Sequence, residues 1–323
     1  MFRVGGCKLS QYICSVVVIQ YNPVWEKLQR TLNSIINQQD CQFEIVIADD
    51  ASKDNCFDKI EGYFRQNKVE NYQLVGNKEN GGTVKNVLSG IQAARGKYVR
   101  VIAPGDMLYS DITLNKIVDF MEKNQAKEVF GKMAYFQENT KKSIEVIPKQ
   151  TPYDFSPYRK QDINGIKDHL LSLGDNVSGA SYTWDREYYL SCLEKLVGKV
   201  RFLEDCASIY TIYDNQKICF FDEFVTWYEY GTGISTSSSN KWTKILIQDW
   251  IEFFSIMEKQ HPTDRKIRWT KVYYQMCQKG WFINKVLKNI LFIRRYVYDR
   301  FIAKKQADTC YGDIDKDYLL KYY

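Results

Sequence analysis

The chain has 323 residues, 45% hydrophobic and 15% aromatic, with a formal net charge of +6. That composition is globular and excludes a disordered chain, and no run approaches the roughly 20 apolar residues that span a bilayer. Only two histidines, His169 and His261, and nine cysteines without a CxxC pair are present, which argues against a Ser-His-Asp triad, a disulfide framework or a zinc site and points to a reducing, cytoplasmic setting.

The N-terminal "MFRVGGCKLSQYICSVVVIQYN" lacks the long apolar region and cleavage site of a signal peptide. Its short β-branched run predicts a strand over Cys14–Ile19. A helix follows in "PVWEKLQRTLNSIINQ", with Trp25, Leu28, Leu32, Ile35 and Ile36 on one face. "FEIVIA" predicts a strand over Phe43–Ala48 that ends in Asp49 and Asp50. Next come a helix in "CFDKIEGYFRQ" and a strand in "YQLV". "TVKNVLSGIQAAR" reads as a helix with Thr83 as N-cap, and "YVRVI" as the fourth strand. Strands alternating with helices predict an α/β fold with a mostly parallel central sheet flanked by helices. Ligands bind such sheets at the carboxyl ends of the strands.

After Phe136 the rhythm breaks into a polar segment that reads as an irregular insertion. "REYYLSCLEKL" and "LEDCASIYTIYD" read as helices, "KICFF" and "VTWYEY" as two strands, and "GTGISTSSSN" as a loop. The remainder reads as helical, and no internal repeat is found. From Lys241 to Lys305 there are fifteen basic against five acidic residues, which favours anionic partners for that segment.

Four features fall at strand ends. "ADDAS" places Asp49 and Asp50 where a carboxylate accepts hydrogen bonds from a nucleoside, or alternatively caps a turn. "NKENGGTVKN" places Gly81 and Gly82 before a helix N-terminus with Lys85 in its first turn, a setting for phosphate or an ordinary cap. It is neither a Walker motif nor a GxGxxG fingerprint. "YVRVIAPGDML" delivers Asp106 beyond a Pro-Gly turn, where it could ligate a hard cation that also touches a diphosphate. "RFLEDCASIY" pairs Glu204 with Asp205, where one carboxylate tuned by its neighbour could act as general base.

In order and spacing these segments resemble the GT-A glycosyltransferases of family 2 across roughly Ser15 to Thr236. "SVVVIQYN" is similar to the family's opening strand and "FEIVIADDASKD" to its "EIIVVDDGSTD". "NGGTVKNVLSGIQAARGKYVRVIAPGD" is similar to the run into its DxD strand, "FLEDCASIY" to its ED motif, and "VTWYEYGTGIST" to its closing strand and lid loop. The resemblance implies a GT-A, Rossmann-like domain over residues 1–240, with a nucleotide-sugar half to about 110 and an acceptor half from 111. It implies that Tyr21 and Asp50 hold the nucleoside, supported by Asp49. Gly82 and Lys85 would face the diphosphate, and Asp106 would coordinate Mg²⁺ or Mn²⁺. Asp205 would be the general base of an inverting transfer, with Glu204 orienting base or acceptor. The implied donor is a nucleotide-diphosphate sugar, UDP-sugar favoured. The implied acceptor is a saccharide or lipid-linked saccharide in capsule, O-antigen or other surface polysaccharide synthesis. The chain departs from the family's D-x-D-D at Ala103, Pro104 and Gly105, and Glu229 stands where a basic residue is common.

Residues 241–323 form a basic, aromatic, helical extension. In "WFINKVLKNILFIRRYVYDRFIAKK", Ile283, Val286, Leu287, Ile290, Ile293, Val297 and Phe301 make an apolar stripe, with Lys285, Lys288, Arg295 and Asp299 roughly opposite. That pattern fits a helix lying on an anionic membrane surface or one packed on the domain. No nucleic-acid motif appears, so no nucleic-acid partner is expected. Two other functions compete: a nucleotide-sugar or polysaccharide binding module without catalysis, and a nucleotidyltransferase, which would want a basic glycine-rich loop after the first strand.

Overall fold

The structure, a computed structural model, describes residues 12–138, 143–234, 236, 239–279, 282–303 and 314–323. The sequence readings on residues 1–11, on 235, 237 and 238 of the lid loop, on Trp281, Lys304 and Lys305, and on the side chain of Ile283 lie outside the described residues.

The chain begins β1 (Cys14–Gln20), α1 (Trp25–Ile36), β2 (Phe43–Asp49), α2 (Phe57–Gln66), β3 (Tyr72–Gly76), α3 (Thr83–Ala93) and β4 (Tyr98–Ile102). β1, β2 and β4 are short apolar runs buried on both faces, as a covered parallel sheet requires, and β3 at the edge of the sheet is only half-buried. Then come β5 (Met107–Leu108), α4 (Thr113–Asn124), β6 (Glu128–Glu138), β7 (Ile144–Ile147), α5 (Ser156–Arg159) and α6 (Ile163–Lys167), which runs into a π-helical turn over Asp168–Leu173. A single turn over Gly179–Ser181 leads to β8 (Tyr182–Asp185) and α7 (Arg186–Leu196). A second turn, Glu204–Cys206, opens α8 (Ala207–Tyr213), and β9 (Ile218–Glu229) follows. The remainder is helical: α9 (Asn240–Gln260), α10 (Arg265–Lys279), α11 (Phe282–Leu291), α12 (Ile293–Val297) and α13 (Lys316–Leu320).

Among the described residues the nine strands form one sheet in the order β3-β2-β1-β4-β8-β6-β9-β5, with β7 on β6. β8 runs antiparallel to both β4 and β6, and β9 is parallel to β6. Six strands therefore point the same way, and β5, β7 and β8 oppose them. The sheet is mostly parallel, as expected from the alternation of strands and helices.

Two cores cover its faces. One gathers α1, α2 and α4 through Leu28, Leu32, Ile60, Phe64 and Ile117. The other gathers α3, α7 and α8, and also Ile251, Phe253, Phe254 and Met257 of α9 and Ile267 and Tyr274 of α10. The change in composition at residue 240 is thus not a packing boundary, because α9 and α10 fill the same core as Val17 and Val46 of β1 and β2.

Several local readings need correction. "KICFF" and "VTWYEY" are one strand, β9, whose pairing with β6 shifts register around Lys132. The exposed Asp222 and Glu223 at that irregularity broke the apolar pattern. The segment after Phe136 is less irregular than its polarity suggested: β6 continues to Glu138 and β7 pairs back on it. The N-cap of α3 is Gly82 rather than Thr83. Among the described residues no helix is long and apolar enough to cross a membrane.

Candidate active site

The ends of β1 and β2 are laced together. Asn22 N–H donates to Ser52 Oγ (2.6 Å), and Lys53 N–H donates to Asn22 Oδ1 (3.0 Å). Asp49, buried, accepts from Ser52 N–H (2.8 Å), Ser52 Oγ (2.5 Å) and Gln20 Nε2 (3.3 Å). It is spent on turn geometry and supports the loop from behind. Tyr21, the residue before Asn22, is 56% exposed.

Asp50 is aimed elsewhere than at solvent. Its Oδ1 accepts from Gly81 N–H (2.9 Å) and Asn77 Nδ2 (3.2 Å), and its Oδ2 from Gly82 N–H (2.8 Å). Val84 N–H donates to the Arg201 carbonyl at 3.0 Å. The amides of Gly81, Gly82 and Val84 are therefore already bonded within the protein, which corrects the expectation that Gly82 presents its own N–H to a ligand. Gly82 has φ +84°, and a Cβ there would collide with Arg201, so glycine is required twice over. Asn86 Nδ2 donates to the carbonyls of Ala48 (3.0 Å) and Gln20 (3.3 Å) and fastens α3 across the ends of β1 and β2. Lys85 pairs with Glu79 at 3.0 Å on the surface, a contact of little energetic weight.

The corner after β4 is held by a polar stripe on α1. Thr31 Oγ1 donates to the Asp106 carbonyl (2.7 Å) and accepts from Gly105 N–H (3.0 Å). Ser34 Oγ accepts from Leu108 N–H (3.1 Å), and Gln38 Nε2 donates to the Ser110 carbonyl (2.6 Å). Lys27 heads the same stripe and is ion-paired to Glu229 at the end of β9. The corner thus brings Asp106 and Glu229 together. Glu229 N–H donates to Asp106 Oδ1 at 2.9 Å, and Glu229 Oε2 is buried with no hydrogen-bond partner among the described residues. Burial pushes the Asp106 carboxyl up to about 8, with the Glu229 N–H and the Arg100 and Lys27 charges opposing the rise. A cation bound beside it would favour the ionised form. An acceptor oxygen with nothing to accept from, next to a second carboxylate, fits a hard cation that takes one or two protein carboxylates and completes its shell with phosphate and water.

Glu204 and Asp205 lie on the turn that opens α8, half-buried. Burial raises both carboxyls, and the Asp205 charge raises Glu204 further, while backbone N–H groups, among them Gly179's, favour ionised Asp205. The environments push the two apart, with Asp205 the member that ionises first. The turn is fixed from two sides. Asp249 of α9 accepts from Arg201 N–H (3.1 Å) and Phe202 N–H (2.6 Å). Gly179 lies against Glu204 and Asp205 so closely that a Cβ would come within 3.0 Å of Glu204 Oε1. Arg100 anchors the Gly179 turn. Fully buried in β4, it donates to the carbonyls of Ala180 (3.0 Å), Ser181 (3.3 Å), Tyr182 (3.2 Å) and Val225 (3.3 Å), and to the hydroxyls of Thr183 and Thr226.

Two chains of contact therefore join the predicted residues. One runs from Asp50 through Gly82 and Arg201 to the Glu204–Asp205 turn. The other runs from Asp106 through Glu229 and β9 to Arg100, Ala180 and that same turn. The stem of Lys85 lies against Gly81 beside the first chain, and its ammonium is taken by Glu79. Lys27, Arg100, Arg201 and Asp249 were not singled out in the sequence. A charged residue inside the apolar strand "YVRVI", and the polar stripe Lys27, Thr31, Ser34, Gln38 at helical spacing, are the sequence signals from which two of the links could have been found.

Residues 15–171 match the model of Glycosyl transferase family 2. Among solved structures, S. aureus TarS 1–349 in complex with UDP is 16% identical, with 90% of this chain and 75% of that chain covered and a TM-score of 0.52. The mannosyltransferase PcManGT from Pyrobaculum calidifontis, in complex with GDP-Man and Mn²⁺, is 13% identical, with 97% and 86% covered and a TM-score of 0.58. At these identities the likeness is one of fold. Polypeptide N-acetylgalactosaminyltransferase 11 of Xenopus tropicalis is 30% identical over 87 residues, which span 26% of this chain and 14% of that protein. The sheet order is that of the GT-A fold, and within it residues 15–171 match glycosyl transferase family 2.

Proposed function

We propose that the protein is an inverting glycosyltransferase that moves a sugar, a hexosyl group in the first instance, from a nucleotide-diphosphate donor to a hydroxyl of a saccharide or lipid-linked saccharide. The observation that carries this reading is the Asp205–Glu204 pair, held by Gly179 and Asp249 within the same contact network as the Asp106–Glu229 corner. Asp205 takes the proton from the acceptor hydroxyl as it attacks the anomeric carbon, and Glu204, whose carboxyl burial and its neighbour push up, orients acceptor or base. Tyr21 offers its exposed ring to the base, and the Asp49–Asp50 lacing shapes the seat around the nucleoside. Asp106 would hold a divalent cation, Mg²⁺ or Mn²⁺. Bound there, such a cation offsets the charge that develops on the departing diphosphate. The UDP, UDP-GlcNAc and GDP-Man complexes of structurally similar proteins support a nucleotide-sugar donor, with a UDP-sugar favoured. A role in surface polysaccharide assembly rests on analogy with the family.

The test is a panel of nucleotide sugars assayed for donor hydrolysis by the full chain. We expect at least one UDP-sugar to be cleaved. Binding without cleavage across the panel would make the protein a binding module. Pyrophosphate released from a nucleoside triphosphate and a sugar phosphate would make it a nucleotidyltransferase.

The same reading places the protein in the cytoplasm, on the inner face of the membrane that carries a lipid-linked acceptor. Val286, Leu287, Ile290, Leu291, Ile293 and Phe301 are each between 43% and 63% exposed, with exposed Lys285 and Arg300 among them. An apolar face edged by basic residues suits an anionic lipid interface. Vesicles containing phosphatidylglycerol should sediment the protein and phosphatidylcholine vesicles should not. The double variant Ile290→Ser/Phe301→Ser should lose at least about tenfold in partitioning. Equal binding to both vesicle types, or by the variant, would remove the membrane from this account.

A further inference from the structure

We infer that Glu229 replaces in space the acids missing from the β4 corner, so that Glu229 and Asp106 form a two-carboxylate seat for a divalent cation in which the Lys27 ammonium is the resident cation. The inference rests on the reading of this corner as a diphosphate site and adds two residues to it.

Glycine at 105 is what makes the replacement fit. The residue has φ +106°, and a Cβ built on it would run into Glu229 Oε2. The space that a side chain at 105 would fill is therefore taken by a carboxylate delivered from β9, 124 positions later in the chain. That carboxylate is built in. Glu229 is 5% exposed, and its backbone N–H is bonded to Asp106 Oδ1 at 2.9 Å. Its Oε1 pairs with Lys27, but Oε2 has no hydrogen-bond partner among the described residues. A buried carboxylate oxygen left unpaired is unfavourable unless a positive group completes it. Lys27 satisfies one oxygen only, and its own side chain is 26% exposed. A lysine on a flexible stem can swing out of such a contact and remain nearby. No group of three or more His, Cys, Asp or Glu side chains that could hold a metal occurs among the described residues. Two carboxylates are thus what the protein offers here, and the other positions fall to phosphate and water, the pattern that Mg²⁺ tolerates.

The consequence is competition. A metal entering without nucleotide must displace an ammonium from Glu229, so metal alone binds weakly. With a diphosphate present, the displaced ammonium has anionic oxygens to meet, and both cations are accommodated.

The experiment titrates Mn²⁺ alone into the nucleotide-free full chain and reads free Mn²⁺ by electron paramagnetic resonance. Lys27→Met should bind Mn²⁺ at least about tenfold more tightly than wild type, because a unit charge a few ångströms away has been removed. Adding Glu229→Gln to Lys27→Met should abolish that gain. An unchanged or weaker affinity in Lys27→Met overturns the inference, as does a double variant that keeps the gain. Melting temperatures check each fold. Should the double variant fail to fold, the Lys27→Met result decides alone. Donor hydrolysis by wild type is read separately. Hydrolysis without a Mn²⁺ gain sinks the seat and leaves the transferase, and a Mn²⁺ gain without hydrolysis of any donor does the reverse.

Discussion

Asp205→Asn should lower kcat by about 10³-fold, within the 10²–10⁴ range for loss of a general base, while the Kd for UDP stays within about twofold of wild type. The separation follows from the structure. Asp205 touches the Gly179 turn and its own helix start, and none of the hydrogen bonds that shape the Tyr21, Asp49 and Asp50 region. The pH profile gives an independent reading. The base must be ionised to accept a proton, and burial raises the Asp205 carboxyl above its ordinary 3.8. Wild-type kcat/KM should therefore fall with acidification at a pH well above that value, as Asp205 becomes protonated. In Asp205→Asn the limb should vanish along with the rate. An Asn variant that turns over at the wild-type rate, or keeps the same acid limb, would remove Asp205 from the chemistry.

Arg100→Met is the second substitution with a large expected effect, and it acts on stability and rate together. Methionine fills much of the volume but donates nothing. Four carbonyls, those of Ala180, Ser181, Tyr182 and Val225, lose their bonds to this guanidinium, although Ala180 keeps the Thr226 hydroxyl and Val225 keeps the Tyr109 N–H. A buried polar group left unpaired costs about 1–3 kcal/mol. Even with partial relaxation the total should reach about 3–5 kcal/mol, which is on the order of a 10 °C fall in melting temperature for a chain of this size. Burial lowers the guanidinium to about 10, so the residue remains charged at neutral pH and the loss should be independent of pH between 6 and 8. Because the Gly179 turn presses on Glu204 and Asp205, kcat should drop further than donor KM rises. Arg100→Lys should rescue only part of this, since one ammonium cannot reach carbonyls on both the Ala180 turn and β9. A destabilised variant with wild-type kcat would show that the turn is scaffold alone.

How far the sequence could be read depended on the range of the interactions. α1, α3 and α7 and the first four strands were legible because apolar periodicity is local, and for α7 the predicted and observed limits coincide. The candidate residues were legible one at a time for the same reason, since each stands at the end of a strand or the start of a turn. Their relations were not. Asp50 meets Gly82 across 32 positions and Glu229 meets Asp106 across 123. β8 has only four residues and pairs with β4, whose first residue lies more than eighty positions earlier, so nothing near it in the chain announces a strand. Asp249 sits in a helix that composition set apart, yet its carboxylate holds the backbone leading to Glu204. Pattern shows which residue types stand at strand ends, and tertiary packing decides which of their atoms remain free.

The place of β8 in the sheet bears on how the chain assembles during synthesis. β4 has β1 on one side, and its other side is closed only by Tyr182–Asp185. At about 5–20 residues per second, the stretch between the end of β4 and the start of β8 takes roughly 4–16 s to be made. Throughout that interval the four parallel strands can dock on one another while the apolar edge of β4 stands unpaired, the kind of edge that recruits foreign strands. β6 emerges in the same interval and cannot take its final position, because β8 must first slot between it and β4. A nascent chain halted between Ile102 and Tyr182 would thus be at its most aggregation-prone, and release beyond Asp185 would end the exposure.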